Sequence, residues 1–231
     1  MKPIPSLSFF LPCYNEQNNI EPLVERLAAL LPRFADEFEV SIVNDGSTDG
    51  TREKALGLAE RFACVRVVDI PHGGYGAALN AGFATARHEW VAFTDADGQF
   101  AIDDFERLVP AAATHPCVIG YRETRAEGGL RRVNQFLLKV WAFSLFGIPW
   151  RIRDINCAFK LIRRDVLAPS LPLGARGGIV STELLRALVR QGVSIAQVPV
   201  RHFPRQHGAA TGANPRVILK AIGETASLLL R

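Results

Sequence analysis

Two carboxylates one residue apart, Asp95-Ala96-Asp97, close the apolar run Val91-Ala92-Phe93-Thr94. An apolar strand ending in such a turn delivers both side chains to a sheet edge. Two hard oxygen ligands on a tight turn suit Mg²⁺ or Mn²⁺, which leave further positions for water and substrate phosphate. Gln99 offers another oxygen two residues on. An Asp-x-Asp turn in isolation says little; its place after an apolar strand favours metal chemistry. Asp45, before Gly46 and Ser47, is suited to accept hydrogen bonds from a base or ribose, and equally to cap the next helix, a task Asp49 also fits. Gly73-Gly74-Tyr75-Gly76 contains a Gly-x-Gly, but a dinucleotide fingerprint should follow the first strand, and this one follows the third. Glycines opening a helix can still approach phosphate or sugar closely.

The elements that must position these groups alternate. Leu7–Leu11 predicts a strand that Pro12 stops. Asn15 is placed to cap a helix over 16–32 with Ile20, Leu23, Val24, Leu27 and Leu30 on one face. Strands are expected at Val40–Val43, Val65–Ile70, Trp90–Thr94 and Cys117–Tyr121, with helices from Asp49 to Phe62, from the glycines to Ala86, and over Ile102–Ala113. This βαβ spacing predicts an α/β fold with a mainly parallel sheet, covered on both faces and binding ligands beyond the carboxyl ends of its strands. Tyr14, Glu16, Asp45, the glycines and the Asp pair then share one edge. The second half is less regular. An Arg- and Gly-rich loop spans 122–132, an apolar stretch spans Val133–Trp150, and Ala158–Ile162 and Val193–Val200 read as strands. Thr182–Gln191 reads as a helix, Arg205–Asn214 as a polar loop, and Val217–Leu230 as a closing helix.

The chain has 231 residues and a net charge of +4, which conceals a split. Residues 1–121 carry 9 Lys/Arg and 17 Asp/Glu, a net of −8, while residues 122–231 carry 18 and 6, a net of +12. Acidic clusters hold cations; basic ones hold phosphates or anionic membranes. Cys13, Cys64, Cys117 and Cys157 lack zinc or redox spacing and read as small buried residues in a reducing compartment. No signal peptide and no run of about 20 apolar residues is seen. The segment 131–153 joins Phe136, Trp141, Phe143 and Trp150 to Arg131, Arg132, Arg151 and Arg153. That composition suits a helix in a membrane interface, and also a core helix. No nucleic-acid motif or aromatic–basic interleaving is present.

Four motifs in order carry a family resemblance: Pro12-x-Tyr14-Asn15-Glu16, Asn44–Thr51, Gly74–Gly82 and Asp95-Ala96-Asp97-Gly98-Gln99. Together they resemble family 2 inverting glycosyltransferases of the GT-A fold, and within them the dolichol-phosphate mannosyltransferase and polyprenyl-phosphate glycosyltransferase branch. The resemblance implies a single catalytic domain, with 1–122 binding a UDP- or GDP-sugar and 123–231 binding the acceptor. It implies nucleoside contacts from Pro12, Tyr14, Glu16 and Asp45, with Gly74 nearby. Asp95, Asp97 and Gln99 would hold the metal, Arg122 with Arg131 or Arg132 an acceptor phosphate, and Arg205 the donor diphosphate. Asp154 opens a segment similar to the family's Asp-x-x-Ser-Gly-Phe loop, with Cys157-Ala158 in place of Ser-Gly. Asn44 replaces a usual Asp, and Arg205–Thr211 matches only part of the family's Arg-x-x-Gly-x-Ser-Lys.

An ionised lipid-phosphate acceptor needs no general base, whereas a hydroxyl acceptor would require one. Glu183 is the spare carboxylate, and a helix N-terminal acid by its other reading. Many relatives carry transmembrane helices that this sequence lacks. The expected setting is therefore cytoplasmic or peripheral on the cytoplasmic face of the membrane, with a separate membrane subunit as a partner. The alternatives are transfer to a hydroxyl, a nucleotidyltransferase, or a non-catalytic nucleotide-sugar-binding module.

Overall fold

A computed structural model describes residues 2–123, 140–141, 143–205 and 224–225. Among the described residues seven strands form one sheet: β1 (Ile4–Cys13), β2 (Ala35–Asp45), β3 (Val65–Ile70), β4 (Trp90–Phe93), β5 (Cys117–Arg122), β6 (Lys160–Arg163) and β7 (Ile195–Val200). Their order is β3-β2-β1-β4-β6-β5-β7, so strands from both sides of residue 122 share the sheet. All neighbours pair parallel except β6, which runs antiparallel to both β4 and β5. The first residue of β6 therefore lies at the edge where the other strands end.

Alternation along β1 builds both faces. Phe9 and Leu11 point to a core with α1 (Ile20–Leu30), α2 (Thr51–Arg61) and α4 (Phe105–Ala112). Phe10 points to the opposite core with α3 (Tyr75–Thr85) and α5 (Val180–Arg190). Phe9 meets Phe105 edge-on at 5.7 Å, and Phe10 stacks on Phe93 at 5.1 Å. Burying each such ring contributes about 2 kcal/mol. Helix α3 approaches β1 so closely that a Cβ added to Gly82 would sit 2.3 Å from the Phe10 ring. Gly82→Ala would push this layer apart.

The sequence expectations hold for the alternation and fail at particular boundaries. Pro12 does not stop β1, which continues to Cys13 in register with Asn44. Strand β4 ends opposite Phe10, so at Pro12 the strand has a neighbour on one side only and tolerates a missing N–H. Asn15 does not cap α1, which begins at Ile20. It adopts φ +57°, and its side-chain oxygen accepts the Thr48 N–H at 2.8 Å, tying the loop after β1 to the loop after β2. Asn tolerates this left-handed conformation better than most residues. Asp49 stands one residue before Gly50, the N-cap of α2, and accepts the Thr51 N–H at 2.9 Å. The stretch expected as one helix over Ile102–Ala113 is a 3₁₀ turn at Ile102–Asp104 leading into α4. The closing helix expected over Val217–Leu230 lies outside the described residues, apart from helical Glu224 and Thr225.

Candidate active site

The ends of β1, β2 and β3 form the first part of the site. Asp45, the last residue of β2, is buried. Its carboxylate accepts the Gly73 N–H at 2.7 Å and the Gly74 N–H at 3.0 Å, and His72 Nδ1 lies 3.0 Å away. Gly74 can turn here because it takes φ +87°. The ring of Tyr14 stacks on His72 at 4.3 Å and remains 43% exposed. Asp45, Tyr14 and His72 thus present a carboxylate beside an aromatic face, with Pro12 buried behind them. The glycines do a different task from the expected approach to phosphate. The Gly73 and Gly74 amides are committed to Asp45, and Gly76 allows residues 175 and 176 to pack on α3: a Cβ there would fall 2.0 Å from the Ala175 carbonyl oxygen.

The second part is the turn after β4. Asp97 accepts the Gln99 N–H at 3.0 Å, and the Gln99 side-chain amide donates to the Phe203 carbonyl at 2.9 Å. Gln99 therefore ties the turn to the segment after β7. Burial first, then the adjacent Asp97 charge, pushes the Asp95 carboxyl up to about 6, while a hydrogen bond from the Tyr75 hydroxyl acts the other way. Burial and the Asp95 charge raise the Tyr75 phenol well above its ordinary value, so it remains a donor. Tyr75 had no place in the sequence expectations; its position among glycines at the start of a helix was the available signal.

Among the described residues no three or more His, Cys, Asp or Glu side chains gather as a metal cage. The Asp95/Asp97 pair fits instead a hard divalent cation that completes its shell with water and phosphate. The positive charges of Lys160 and Arg122 offset part of the repulsion between the two carboxylates. Arg205 adds to them, with Nη1 3.9 Å from Asp97 Oδ2 and an ion pair to Glu16. Glu16 also accepts the Asn19 side-chain amide at 2.6 Å. The carboxylate expected at the nucleoside is therefore engaged in holding Arg205 beside the Asp turn.

The third part lies at the ends of β5 and β7. Arg122 and Asp154 form a two-pronged pair at 2.7 and 2.9 Å, and Asp154 is buried. Gln197 of β7 braces this corner, accepting the Arg153 N–H at 2.7 Å and donating to the Arg151 carbonyl at 2.9 Å. Residues 140–141 and 143–146 are helical, and Phe143 and Trp150 meet edge-on at 5.8 Å while each stays about half exposed. Arg151 and Arg153 are exposed beside them. Arg131 and Arg132 lie outside the described residues. Glu183 accepts the Gly174 and Ala175 amides at 2.9 and 2.8 Å, holding the loop that packs on α3.

Residues 8–169 match the sequence profile of Glycosyl transferase family 2. The chain belongs to this family. The undecaprenyl-phosphate 4-deoxy-4-formamido-L-arabinose transferase of Pseudomonas paraeruginosa is 30% identical over 223 residues, covering 94% of this chain and 64% of the relative. The dodecaprenyl-phosphate galacturonate synthase of Rhizobium johnstonii is 28% identical over 209 residues, covering 88% and 61%. This family 2 chain thus spans under two thirds of the length of those curated relatives. Its fold is that of the glucosyl-3-phosphoglycerate synthase from Mycobacterium tuberculosis. The UDP complex of that enzyme superposes with a TM-score of 0.74 at 23% identity, covering 97% of this chain and 80% of the other. Its complex with Mn²⁺, UDP-glucose and phosphoglyceric acid gives 0.72 at 25% identity, covering 96% and 80%.

Proposed function

We propose that this chain transfers a sugar, with inversion, from a UDP- or GDP-linked donor to a polyprenyl phosphate in a metal-dependent reaction. The observation that carries this reading is the order of groups along one sheet edge. The Asp45–Tyr14–His72 corner, the Asp95/Asp97 turn with Arg205, and the Arg122–Asp154 pair follow one another. That order suits a nucleoside, a diphosphate and a second anion. The named activities of the relatives support it, as do the UDP and Mn²⁺ bound by the mycobacterial enzyme.

In this reading Asp45 accepts an N–H of the base or a ribose hydroxyl, and Tyr14 covers it. Asp95, Asp97 and Gln99 would hold Mg²⁺ or Mn²⁺. When bound, such a cation neutralises the leaving diphosphate. Arg205 shares that charge, and Tyr75 orients Asp95. Arg122, with Arg131 or Arg132, binds the acceptor phosphate and aims its oxygen at the sugar carbon, which is oxocarbenium-like in the transition state. A phosphate oxygen is already ionised at pH 7, so the acceptor needs no base. The engagement of Glu183 with Gly174 and Ala175 favours this acceptor over a hydroxyl.

The exposed Phe143 and Trp150, with Arg151 and Arg153 beside them, would rest on an anionic membrane from which a lipid phosphate is taken. Among the described residues no helix is long and apolar enough to cross a membrane. A panel of labelled UDP- and GDP-sugars with Mn²⁺ and undecaprenyl or dolichyl phosphate tests the whole reading. Lipid-linked product is expected with one donor; product only on a hydroxyl acceptor, or none, would refute it.

A further inference from the structure

Lys160 opens β6 and has no exposed surface. Its register places it between Phe93 of β4 and Ile119 of β5, at the edge those strands share. Asp95 follows Phe93 by two residues, and Arg122 follows Ile119 by three. The Lys160 ammonium donates to the Cys157 carbonyl and lies 5.6 Å from the centroid of the Phe93 ring. Leu161 and Ile162, the next residues of the strand, are buried apolar side chains. A sheet that needed only a core would place another there, because a buried ammonium is costly without anions and acceptors around it. Burial pulls the amine's pKa down, and the fields of Cys157, Asp154, Cys117 and Asp95 oppose that pull. Burial pushes both thiols up to about 12, so the carboxylates are the anions present near neutral pH. Asp154 is the carboxylate that grips Arg122.

We propose that Lys160 is a positioning residue for the acceptor: it holds the Cys157 carbonyl, fixing residues 154–157 so that Asp154 presents Arg122 to an anion. The inference rests on the acceptor reading given above. Lys160 touches no substrate and acts through Asp154. It also stands between the two sides of the reaction, since its register partner Phe93 precedes Asp95 by two residues and its other partner Ile119 precedes Arg122 by three.

Lys160→Met keeps the length of the side chain and removes the charge. Removing one buried charge leaves the anions around it less compensated, so the variant is expected to fold with a lowered melting temperature. Hydrogen exchange should quicken at the amides of residues 153–158. The acceptor KM should rise about tenfold, a size usual for lost outer-shell support, while the donor KM stays within about twofold. Asp154→Asn should show the same split, and the double variant should be no worse than Asp154→Asn alone. If Lys160→Met does not fold, Lys160→Gln, which keeps a donor for the Cys157 carbonyl, takes its place in every measurement. Unchanged exchange at 153–158, an equal rise in both KM values, or additive losses would overturn the inference. If the parent forms no lipid-linked product, the proposed function fails, and the exchange measurement alone decides the role of Lys160.

Discussion

The two ends of the reactive edge hold their charges by different means. At the end proposed to hold the donor, carboxylates are fixed largely by backbone amides: Asp45 by Gly73 and Gly74, Asp97 by Gln99. At the end proposed to hold the acceptor, an arginine is fixed by a carboxylate, Arg122 by Asp154, and Lys160 is buried at the start of β6. Backbone donors cannot titrate or swing away, so the donor end is preformed by the fold. The acceptor end depends on side chains balancing one another, and removing one leaves another charge uncompensated. The donor end should therefore fail through lost chemistry, and the acceptor end through lost chemistry and lost stability together.

Asp97→Ala is the sharpest test at the donor end. Transfer should fall about a thousandfold or more, as expected when a charge-stabilising group is removed, while circular dichroism is unchanged. Undiminished turnover would remove the Asp turn from the mechanism. Arg122→Ala should raise the acceptor KM more than the donor KM. It should also cost about 3 kcal/mol in urea denaturation, because Asp154 is left buried without this partner. A loss of activity with no loss of stability would erase the contrast between the two ends.

Asp95→Asn should go the opposite way in the absence of metal. The Asp95 pKa is about 6 in the folded protein against an ordinary 3.8. Between those values the folded state binds more protons than the unfolded one, so stability falls as pH rises from about 4 to about 6. The deficit is complete above that window. The asparagine variant should therefore be more stable than the parent by about 1 to 2 kcal/mol at pH 8 in EDTA, with the gain shrinking towards pH 4. A pH-independent gain would point to packing instead. The smallest effect belongs to Tyr14→Ala. Losing its face should cost about 1 kcal/mol of donor binding, seen as a several-fold rise in donor KM with the acceptor KM unmoved.

This contrast also decides what could be read from sequence. The donor end is built from residues near one another in the chain, at the ends of successive parallel strands. Alternating apolar runs located those strands, and Asp45, Asp95 and Asp97 follow directly from them. The acceptor end is built across long separations. Nothing in the chain between Arg122 and Asp154 signals that they pair, and at the donor end Arg205 is the exception, meeting Glu16 from the far end of the sequence. Pro12 and Asn15 misled because their local preferences yielded to tertiary context: a strand with an open side for one, a bond to Thr48 for the other. Lys160 was visible only as a single cation in the apolar run Ala158–Ile162. Its significance depends on β6 running backwards, which periodicity does not reveal.

That reversal has a consequence for how such a scaffold diversifies. Because β5 leaves the sheet at the reactive edge and β6 re-enters there as the adjacent strand, the chain between them stands with both feet beside the chemistry, about one strand spacing of 4.8 Å apart. Its described part is seated in the core by Ile148, Ile152, Ile155 and Phe159, so those anchors limit where it can vary. In the proposed reading the sheet is the socket that keeps the donor groups in place, and the segment whose ends β5 and β6 fix is where a different acceptor would be accommodated.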